Sequence, residues 1–300
     1  MLRLRVSHKT TYRYVEPVEF GDHRLMLRPR DSHDLRLLSA TITIEPHAHL
    51  RWVHDVFGNS VAIASFTEHG SQLMILSEIV LDRYPLSNIE VAIEPYATKL
   101  PFSYSAIEIP DLGRTIERHY PDPDRHVTEW TRLVLERPGV DGRTEAFLRE
   151  LTSTIQRDFS YLVRHEPGVQ SPLETLQTGC GSCRDYALLM MEAVRSVGLA
   201  ARFVSGYLYD PAVDGGDFNV VGAGATHAWV QVYLPGAGWV EFDPTNGGSG
   251  GQNLVPIAVA RVPSQAIPIA GTFTCQTQNQ SEIEVEVTVR SVSPENPLDQ

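Results

Sequence analysis

Three residues in the second half of the chain have types and an order that suit nucleophilic catalysis: Cys183, His227 and Asp243. In such a site a thiolate attacks a carbonyl, an imidazole takes and returns the proton, and a carboxylate fixes the imidazole tautomer. The cysteine lies in Gly-Ser-Cys-Arg-Asp-Tyr-Ala, the histidine in Thr-His-Ala-Trp-Val and the aspartate in Phe-Asp-Pro-Thr. Together these residues predict a thiol enzyme of the acyl-transfer type.

The sequence around Cys183 predicts that this residue begins a helix. Ser182 with Asp185 three positions later is the pattern of a capping box, in which Ser182 is the N-cap. Apolar residues then recur with a helical period, and Gly198 follows in a position typical of a C-cap. The positive end of the helix favours a thiolate at Cys183, and the Cys183 amide is an oxyanion donor. Asp185 is therefore assigned to the cap rather than to catalysis.

His227 and Asp243 are predicted to lie on the same face of a hairpin. Residues 227–234 alternate, with His227 and Trp229 on one face and apolar residues on the other. The next strand alternates likewise, and a three-residue loop at 235–237 matches the two apolar faces. In that register Asp243 is opposite Trp229 and one diagonal step from His227, a backbone separation of about 7–8 Å that a side-chain hydrogen bond can span.

Other interpretations of these residues stay open. A free cysteine is usually buried for packing alone, and an aspartate before proline is common in turns. Cys180 and Cys183 also form a C-x-x-C pair at a helix start, which is typical of dithiol oxidoreductases. That motif is expected in a small βαβ unit, whereas a long β-rich region precedes it here, and it leaves His227 and Asp243 without a role. A zinc site needs a second ligand pair, which the sequence does not supply.

Size, charge and cysteine content limit the function classes. The chain has 300 residues, enough for about two domains of ~150 residues. A formal net charge of -12 repels phosphate backbones, so nucleic acid is not expected as a partner. No apolar run approaches the ~18 residues of a membrane span. The first residues lack the apolar core of a signal peptide. The three cysteines do not suit a disulfide scaffold. We therefore expect a cytoplasmic protein without a membrane partner; the oligomeric state stays open.

Residues 1–110 are predicted to form an N-terminal antiparallel β-sandwich. Short alternating or apolar runs are separated by turn residues at a spacing typical of such sandwiches, and the predicted strands include 41–44, 61–64, 73–80 and 89–93. A stretch rich in proline and charge, at 109–124, is predicted to link this domain to the next.

Residues 111–262 are predicted to form a second domain of helices and strands, so that the fold class is α+β. The apolar spacing predicts helices over 145–159 and 183–197, and strands over 201–208, 227–234 and 239–242. The glycine-rich segment 246–251 is predicted to be a flexible loop. Residues 263–300 are predicted to be a C-terminal extension with one strand, at 283–289, and a loose tail from Pro294.

The motifs around Cys183, His227 and Asp243, with the stretch 202–208 between them, resemble the core of bacterial transglutaminase-like proteins, a family often described as cysteine proteases. The front of the chain resembles the N-terminal β domain of that family, through Tyr-Arg-Tyr at 12–14, Leu-Arg-Pro at 27–29 and Asp-Val-Phe-Gly-Asn at 55–59. The resemblance implies a papain-like core, a helix bundle packed on an antiparallel sheet, and a Cys–His–Asp triad at the three residues. It also implies attack on an amide carbonyl, an acyl-enzyme, and release to an amine or to water.

The sequence departs from related patterns in two places. Many members of the family carry Gly-Arg-Asp-Tyr after the Asp-Pro-Thr strand, and this chain has Val-Ala-Arg-Val-Pro-Ser at 259–264 instead. Papain shares Cys-Gly-Ser-Cys, but its histidine follows the cysteine by about 130–150 residues. Here the separation is 227 − 183 = 44 residues, which excludes a true papain. Gln177, six residues before Cys183, is a candidate second oxyanion donor.

Two further clusters could bind a metal but are better explained as solvated surface. His47, His49 and His54 suit the exposed face of a strand. Asp210, Asp214 and Asp217 lie in a glycine-containing loop whose spacing departs from the EF-hand pattern. The Gly-Ala-Gly-Ala run at 222–225 leads into a strand, so it is predicted to be a mobile flap rather than a phosphate loop. No metal and no cofactor are expected.

The expected function is cysteine-dependent acyl transfer or hydrolysis at amide bonds of proteins or peptides. Cys183 is the nucleophile, His227 the acid–base and Asp243 the orienting carboxylate. Hydrolysis, transamidation and deamidation are not separated by the sequence, because the choice depends on whether water or an amine reaches the acyl-enzyme. A non-catalytic binding protein that retains the fold and a C-x-x-C dithiol oxidoreductase are the alternatives.

Overall fold

The computed structural model describes residues 1–84, 92–164, 168–212, 224–251, 253–275 and 281–293. Several predicted features lie wholly or partly outside these residues: most of the strand at 89–93, Asp214 and Asp217 of the acidic loop, the first half of the flap at 222–225, and the tail from Pro294. The described part is a mixture of helices and strands, as the sequence predicts.

The N-terminal domain is built around one very long strand. The five strands of this region are β1 (Leu2–Arg28), β2 (Leu35–Glu45), β3 (Ala48–His54), β4 (Ser60–Phe66) and β5 (His69–Arg83). They are antiparallel and hydrogen-bonded in the order β2-β5-β1-β4-β3. The first half of β1 pairs with β5 and the second half with β4, so the sheet curls and is one continuous hydrogen-bonded unit.

The segment predicted as a linker is ordered and tied to the second domain. It contains the short helix α1 (Glu108–Leu112). Further along, the amides of His119 and Tyr120 donate to the carboxylate of Glu192, at 3.0 and 3.2 Å from Oε2. Glu192 is buried and also pairs with Arg195, whose Nη1 lies 2.9 Å from Oε1. A buried carboxylate needs such partners, so these hydrogen bonds hold His119 and Tyr120 of the linker against Glu192.

In its described residues, the second domain has four α-helices and a five-stranded antiparallel sheet. The helices are α2 (His126–Leu135), α3 (Thr144–Asp158), α4 (Pro172–Thr178) and α5 (Cys183–Ser196); the strands are β6 (Ser160–Tyr161), β7 (Cys180–Gly181), β8 (Ala201–Leu208), β9 (Thr226–Leu234), β10 (Gly238–Asp243), β11 (Gly248–Ser249) and β12 (Leu254–Ala260). The sheet order is β11-β10-β9-β8-β12, and β6 and β7 form a separate parallel pair. Helix α5 packs on β9 and β8 and is buried along nearly its whole length, because apolar residues cover most of its circumference.

The last part of the chain returns to the N-terminal sheet. It contributes two strands, β13 (Ile269–Thr274) and β14 (Ser281–Ser291), and both pair with β1. The prediction of a single strand in this segment is therefore wrong. The sequence pattern does not indicate β13, because Pro268 directly precedes the strand and Gly271 lies within it, and both residue types are rare in strands. Gly271 is required because a Cβ there would lie 2.2 Å from Cδ2 of His23.

The glycine-rich loop after β10 is more regular than the sequence predicts. Its residues Gly248 and Ser249 form β11, which pairs with Asp243 and Phe242 of β10. The helix and strand predictions for α3, α5, β8, β9, β10 and β14 agree with the structure to within about two residues at each end. The predicted domain boundaries at 110 and 262 stay predictions.

The two sheets meet through an apolar cluster with a buried histidine beside it. The cluster joins β1, β5 and β14 to β8 and β12; its buried members include Leu4, Val6, Ile79, Tyr207, Val255 and Val289. His8 lies next to Tyr207, with Nδ1 at 2.8 Å from the tyrosine hydroxyl and Nε2 at 3.1 Å from Oγ1 of Thr10. Burial lowers the pKa of His8 from 6.5 to about 4.

This environment predicts a loss of stability in acid. The unfolded chain protonates His8 near pH 6.5 and the folded chain only near pH 4, so the unfolded state binds more protons between these values. The free energy of unfolding should fall as the pH drops through this window, by about 3 kcal/mol from His8 alone. Urea unfolding measured from pH 7 to pH 4 should show a shallower fall for His8→Gln than for the wild type. The exposed His49 is the control, and an unchanged slope in His8→Gln would contradict the assignment.

Candidate active site

Cys183 is the first residue of α5, as predicted, and only 6% of its surface is exposed. Ser182 is the N-cap, with extended backbone. Its amide and its hydroxyl both donate to Oδ2 of Asp185, at 2.8 Å each. The predicted capping interaction is confirmed, and it leaves the Cys183 amide at the helix start, where N–H groups have no intrahelical acceptor.

Asp185 does more than cap the helix. Its side chain is fully buried, and Oδ1 accepts from the amide of Gln170 at 2.7 Å and from Nη1 of Arg164 at 3.0 Å. The carboxylate therefore joins the start of α5 to the chain that precedes α4. Neither Arg164 nor Gln170 carries a sequence signal that points to this contact.

His227 and Asp243 lie in the predicted register. Leu234 pairs with Gly238, and the ladder continues to Val230 opposite Phe242. The diagonal contact expected from this register is present: Nε2 of His227 is 2.8 Å from Oδ2 of Asp243. Both side chains are buried. The hydrogen bond predicted from strand periodicity and loop length is confirmed.

The carboxylate of Asp243 has further donors from the turn that follows it. Oδ1 accepts from the Thr245 amide at 3.0 Å, and Oδ2 accepts from Nδ2 of Asn246 at 2.9 Å. Burial raises the pKa of Asp243, but the charge of His227 and these hydrogen bonds bring it below its usual value. Asn246 belongs to the glycine-rich loop that the sequence presents as flexible, so its contact with Asp243 is not apparent before the structure.

Interactions with Asp243 and Cys183 raise the pKa of the His227 imidazole, which favours its charged form at neutral pH. Burial lowers its pKa, but the charge and hydrogen bond of Asp243, together with interactions with Cys183, raise it to about 10. Nε2 is occupied by Asp243, while Nδ1 is buried and has no oxygen or nitrogen partner within the described ranges. A side-chain hydrogen bond with Cys183 is among the interactions that raise the pKa, so Nδ1 is the atom available to the thiol. This arrangement suits a thiolate–imidazolium pair.

Tyr161 is a fourth side chain at this site. Residues Ser160 and Tyr161 of β6 pair in parallel with Cys180 and Gly181 of β7, which places Tyr161 beside the start of α5. Burial raises the pKa of Tyr161, and the charge of Cys183 and a side-chain hydrogen bond with it raise this pKa further. A two-residue strand directly after a helix has no distinctive sequence pattern, so the pairing that brings Tyr161 to the cysteine could not be predicted.

The other predicted candidates are not joined to this centre. Gln177 lies on α4 and is exposed, and no hydrogen bond connects it to Cys183 in the part of the chain that the structure covers. Cys180 is half-buried in β7, Cys275 is half-buried after β13, and Cys180 and Cys183 are free thiols. His47, His49 and His54 lie in or beside β3 and make no metal-binding cluster, and no group of three or more potential ligands occurs among the described residues. Within the same residues, none of the helices has the length and apolar character needed to span a bilayer.

Comparison with known proteins assigns the chain to a family. Residues 4–82 match the bacterial transglutaminase-like N-terminal region, and residues 138–244 match the transglutaminase-like superfamily. An uncharacterized protein of Mycobacterium tuberculosis is 30% identical over 298 residues, covering 96% of this chain and 92% of that protein. The chain belongs to the transglutaminase-like superfamily. The triad candidates Cys183, His227 and Asp243 all lie inside the matched transglutaminase-like core.

Two more comparisons concern proteins with a named activity or a solved structure. A Pseudomonas aeruginosa protein named protein-glutamine gamma-glutamyltransferase is 37% identical over 68 residues, which cover 23% of this chain and 10% of that protein. The crystal structure of a candidate cysteine protease from Cytophaga hutchinsonii superposes with a TM-score of 0.69 at 17% identity, covering 97% of this chain and 91% of the other. The second similarity shows a shared fold over nearly the whole chain, and the core has the papain-like fold that the resemblance implies.

The first prediction for the site concerns Asp243. In Asp243→Asn the negative charge that raises the pKa of His227 is lost, so the imidazolium should deprotonate at a lower pH. The Cys183 thiolate then loses its cationic partner, so its alkylation by iodoacetamide should slow by about tenfold at pH 7. The measurement is the alkylation rate against pH, and Asp158→Asn, an exposed aspartate at the end of α3, is the control. A profile identical to the wild type would contradict the proposed charge coupling.

The second prediction concerns the buried carboxylate of Asp185. Asp185→Ala removes the acceptor for Ser182, Gln170 and Arg164, and it should lower the free energy of unfolding by about 3 kcal/mol. Urea unfolding measures this change. Asp158→Ala, which removes an exposed ion pair, should change the stability little. If both variants were equally stable, the anchoring role of Asp185 would be wrong.

Proposed function

We propose that this protein is a cysteine-dependent enzyme that acts on amide bonds of proteins or peptides. Cys183 is the nucleophile, His227 the proton carrier and Asp243 the group that orients the imidazole. The observation that carries the proposal is the 2.8 Å bond between Nε2 of His227 and Asp243, which leaves Nδ1 for the thiol. Membership of the transglutaminase-like superfamily supports the same chemistry.

The proposed reaction has two halves. The thiolate of Cys183 attacks the amide carbonyl, and the imidazolium of His227 gives its Nδ1 proton to the leaving amine, so that a thioester and a free amine or ammonia result. The Cys183 amide at the positive end of α5 donates to the oxyanion, and the Tyr161 hydroxyl is close enough to the thiol to contribute. In the second half, His227 removes a proton from water or from a primary amine, which attacks the thioester; the carboxylic acid or the new amide is released, and the thiolate–imidazolium pair is restored.

Substrate, partners and location are proposed more broadly. The proposed substrate is a protein or peptide that presents a carboxamide or peptide bond. The formal net charge of -12 supports the proposal that nucleic acid is not a partner. A cytoplasmic location stays a prediction. The C-x-x-C alternative assigns equal importance to Cys180 and Cys183, and this difference makes it testable.

Substitution of the nucleophile tests the proposal. The protein is incubated with a mixture of glutamine-containing peptides, with and without a fluorescent primary amine, and peptide cleavage, ammonia release and amine incorporation are measured by mass spectrometry and fluorescence. Cys183→Ala should lower every measured reaction by more than about 10³-fold. Cys180→Ser should stay within about threefold of the wild type, because Cys180 has no role in the triad.

Each outcome distinguishes a class of protein. Activity that survives in Cys183→Ala would contradict the proposal. Equal losses in Cys180→Ser and Cys183→Ser, together with dithiol exchange activity, would favour the oxidoreductase. Cleavage without amine incorporation would identify a protease, ammonia release without an added amine a deamidase, and amine incorporation a transamidase.

A further inference from the structure

A second acidic side chain of β10 repeats the geometry of the triad carboxylate. Glu241 lies two residues before Asp243 and on the same face of the strand. It is directly opposite Gln231 in the ladder, and it reaches one diagonal step to Trp229, whose Nε1 lies 3.2 Å from Oε1 of Glu241. Asp243 makes the same diagonal step to His227. Two consecutive diagonal pairs of identical offset therefore lie side by side on this face.

The two diagonal pairs are in contact through their rings. The indole of Trp229 stacks on the imidazole of His227, with centroids 5.9 Å apart and an interplanar angle of 27°. Trp229 is fully buried, and it packs on its other sides against Val204 and Val259. One face of the His227 ring is thus covered by the indole, and the orientation of the indole limits that of the imidazole.

Glu241 is held firmly in place. Nε2 of Gln231 donates to the same Oε1 atom at 3.1 Å, and Gln231 in turn accepts from Nε of Arg202 at 2.7 Å. Gly251 has a φ of +68°, and a Cβ at this position would lie 1.6 Å from Oε2 of Glu241. The amide of Gly250 donates to the Glu241 carbonyl at 3.0 Å. Gly250 and Gly251, which follow β11, therefore lie directly against Glu241, and residue 251 has no room for a side chain.

The charges around Glu241 come from three other segments. Burial raises its pKa, Arg83 of β5 lowers it, and Asp34, just before β2, raises it. Arg202 of β8 also faces it. A carboxyl group keeps an acceptor oxygen when it is protonated, so the hydrogen bond from the indole persists in both protonation states. Glutamine can supply the same acceptor.

Glu241 lies away from the reacting atoms. It lines a cavity of about 830 Å³, and among the described residues that line this cavity none is Cys183, His227 or Asp243. A role in direct contact with substrate at Cys183 does not fit this placement. A role through Trp229 does.

We propose that Glu241 is a positioning residue, which fixes the indole of Trp229 against His227 and thereby keeps Nδ1 of the imidazole directed at Cys183. This inference rests on the proposed function of the triad. It extends the positioning of the catalytic base from one carboxylate, Asp243, to two neighbouring carboxyl groups on the same strand.

The test measures the reactivity of Cys183 in a Cys180→Ser and Cys275→Ser background, so that alkylation by iodoacetamide reports one thiol. Glu241→Met keeps the length of the side chain but removes the hydrogen-bond acceptor. Glu241→Asp keeps the carboxyl group on a shorter side chain, which does not reach Nε1 of Trp229. Both should slow alkylation by about tenfold at pH 7 and move the pH profile toward that of a simple thiol. Glu241→Gln should stay within about threefold of the background protein. Tyr233→Phe, on the same face of β9 but remote from His227, is the control and should change nothing.

A double substitution tests whether Glu241 acts through Trp229. In Trp229→Phe the N–H donor is absent, so adding Glu241→Met should cause no further loss. The inference is overturned if Glu241→Met has the pH profile of the background protein, or if its loss is undiminished in Trp229→Phe. Urea unfolding of each variant separates these outcomes from misfolding, and the comparison of Glu241→Asp with Glu241→Gln decides the question if the Met variant does not fold. Failure of the triad itself is distinct, because Cys183 would then react as an ordinary thiol in the background protein.

Discussion

The buried hydrogen bond between His227 and Asp243 is the interaction on which the rest of the candidate site depends. Both groups are inside the protein, and a charged group there is costly unless it is paired and hydrogen-bonded. The pair meets this requirement through the ion pair itself and through the donors of Thr245 and Asn246. Because Asp243 occupies Nε2, the position of the carboxylate decides which ring nitrogen is left for the thiol.

The two faces of the β9–β10 hairpin make different contacts. Ala228 and Val230 face α5 and belong to the cluster that anchors the helix carrying Cys183. The opposite face carries His227, Trp229 and the two carboxyl groups of β10. The alternation along β9 thus fixes which side chains pack on α5 and which lie beside the carboxyl groups of β10, since a shift of one residue exchanges the two faces. The N-terminal sheet adds support from behind, through Tyr207 and the β12 strand that pack against it.

Much of this arrangement follows from periodicity and loop length. The alternation of β9 and β10 with a three-residue loop predicts the register, and the Ser182–Asp185 spacing predicts the helix start. Two contacts of the site were not predictable: Tyr161 reaches Cys183 through a two-residue strand, and Asn246 reaches Asp243 from a loop with a flexible composition. The strand β13 was missed because Pro268 precedes it and Gly271 lies within it, so that local propensity conflicts there with the pairing to the long β1 strand. Glu241 is a member of the Asp243 face in the predicted register, but the hydrogen bonds that it accepts from Trp229 and Gln231 are known only from the folded hairpin.

The protonation of the His227 ring tests the central claim most directly. The ring nitrogens of histidine-labelled protein are observed by ¹⁵N NMR at pH 8, with His227→Gln used to assign the signals. With a pKa of about 10, the imidazole of His227 should carry protons on both nitrogens, with the Nε2 proton strongly hydrogen-bonded. A neutral ring at pH 8 whose single proton lies on Nδ1 would contradict the account, because Nε2 would then have no proton for Asp243 and the thiolate no cationic partner.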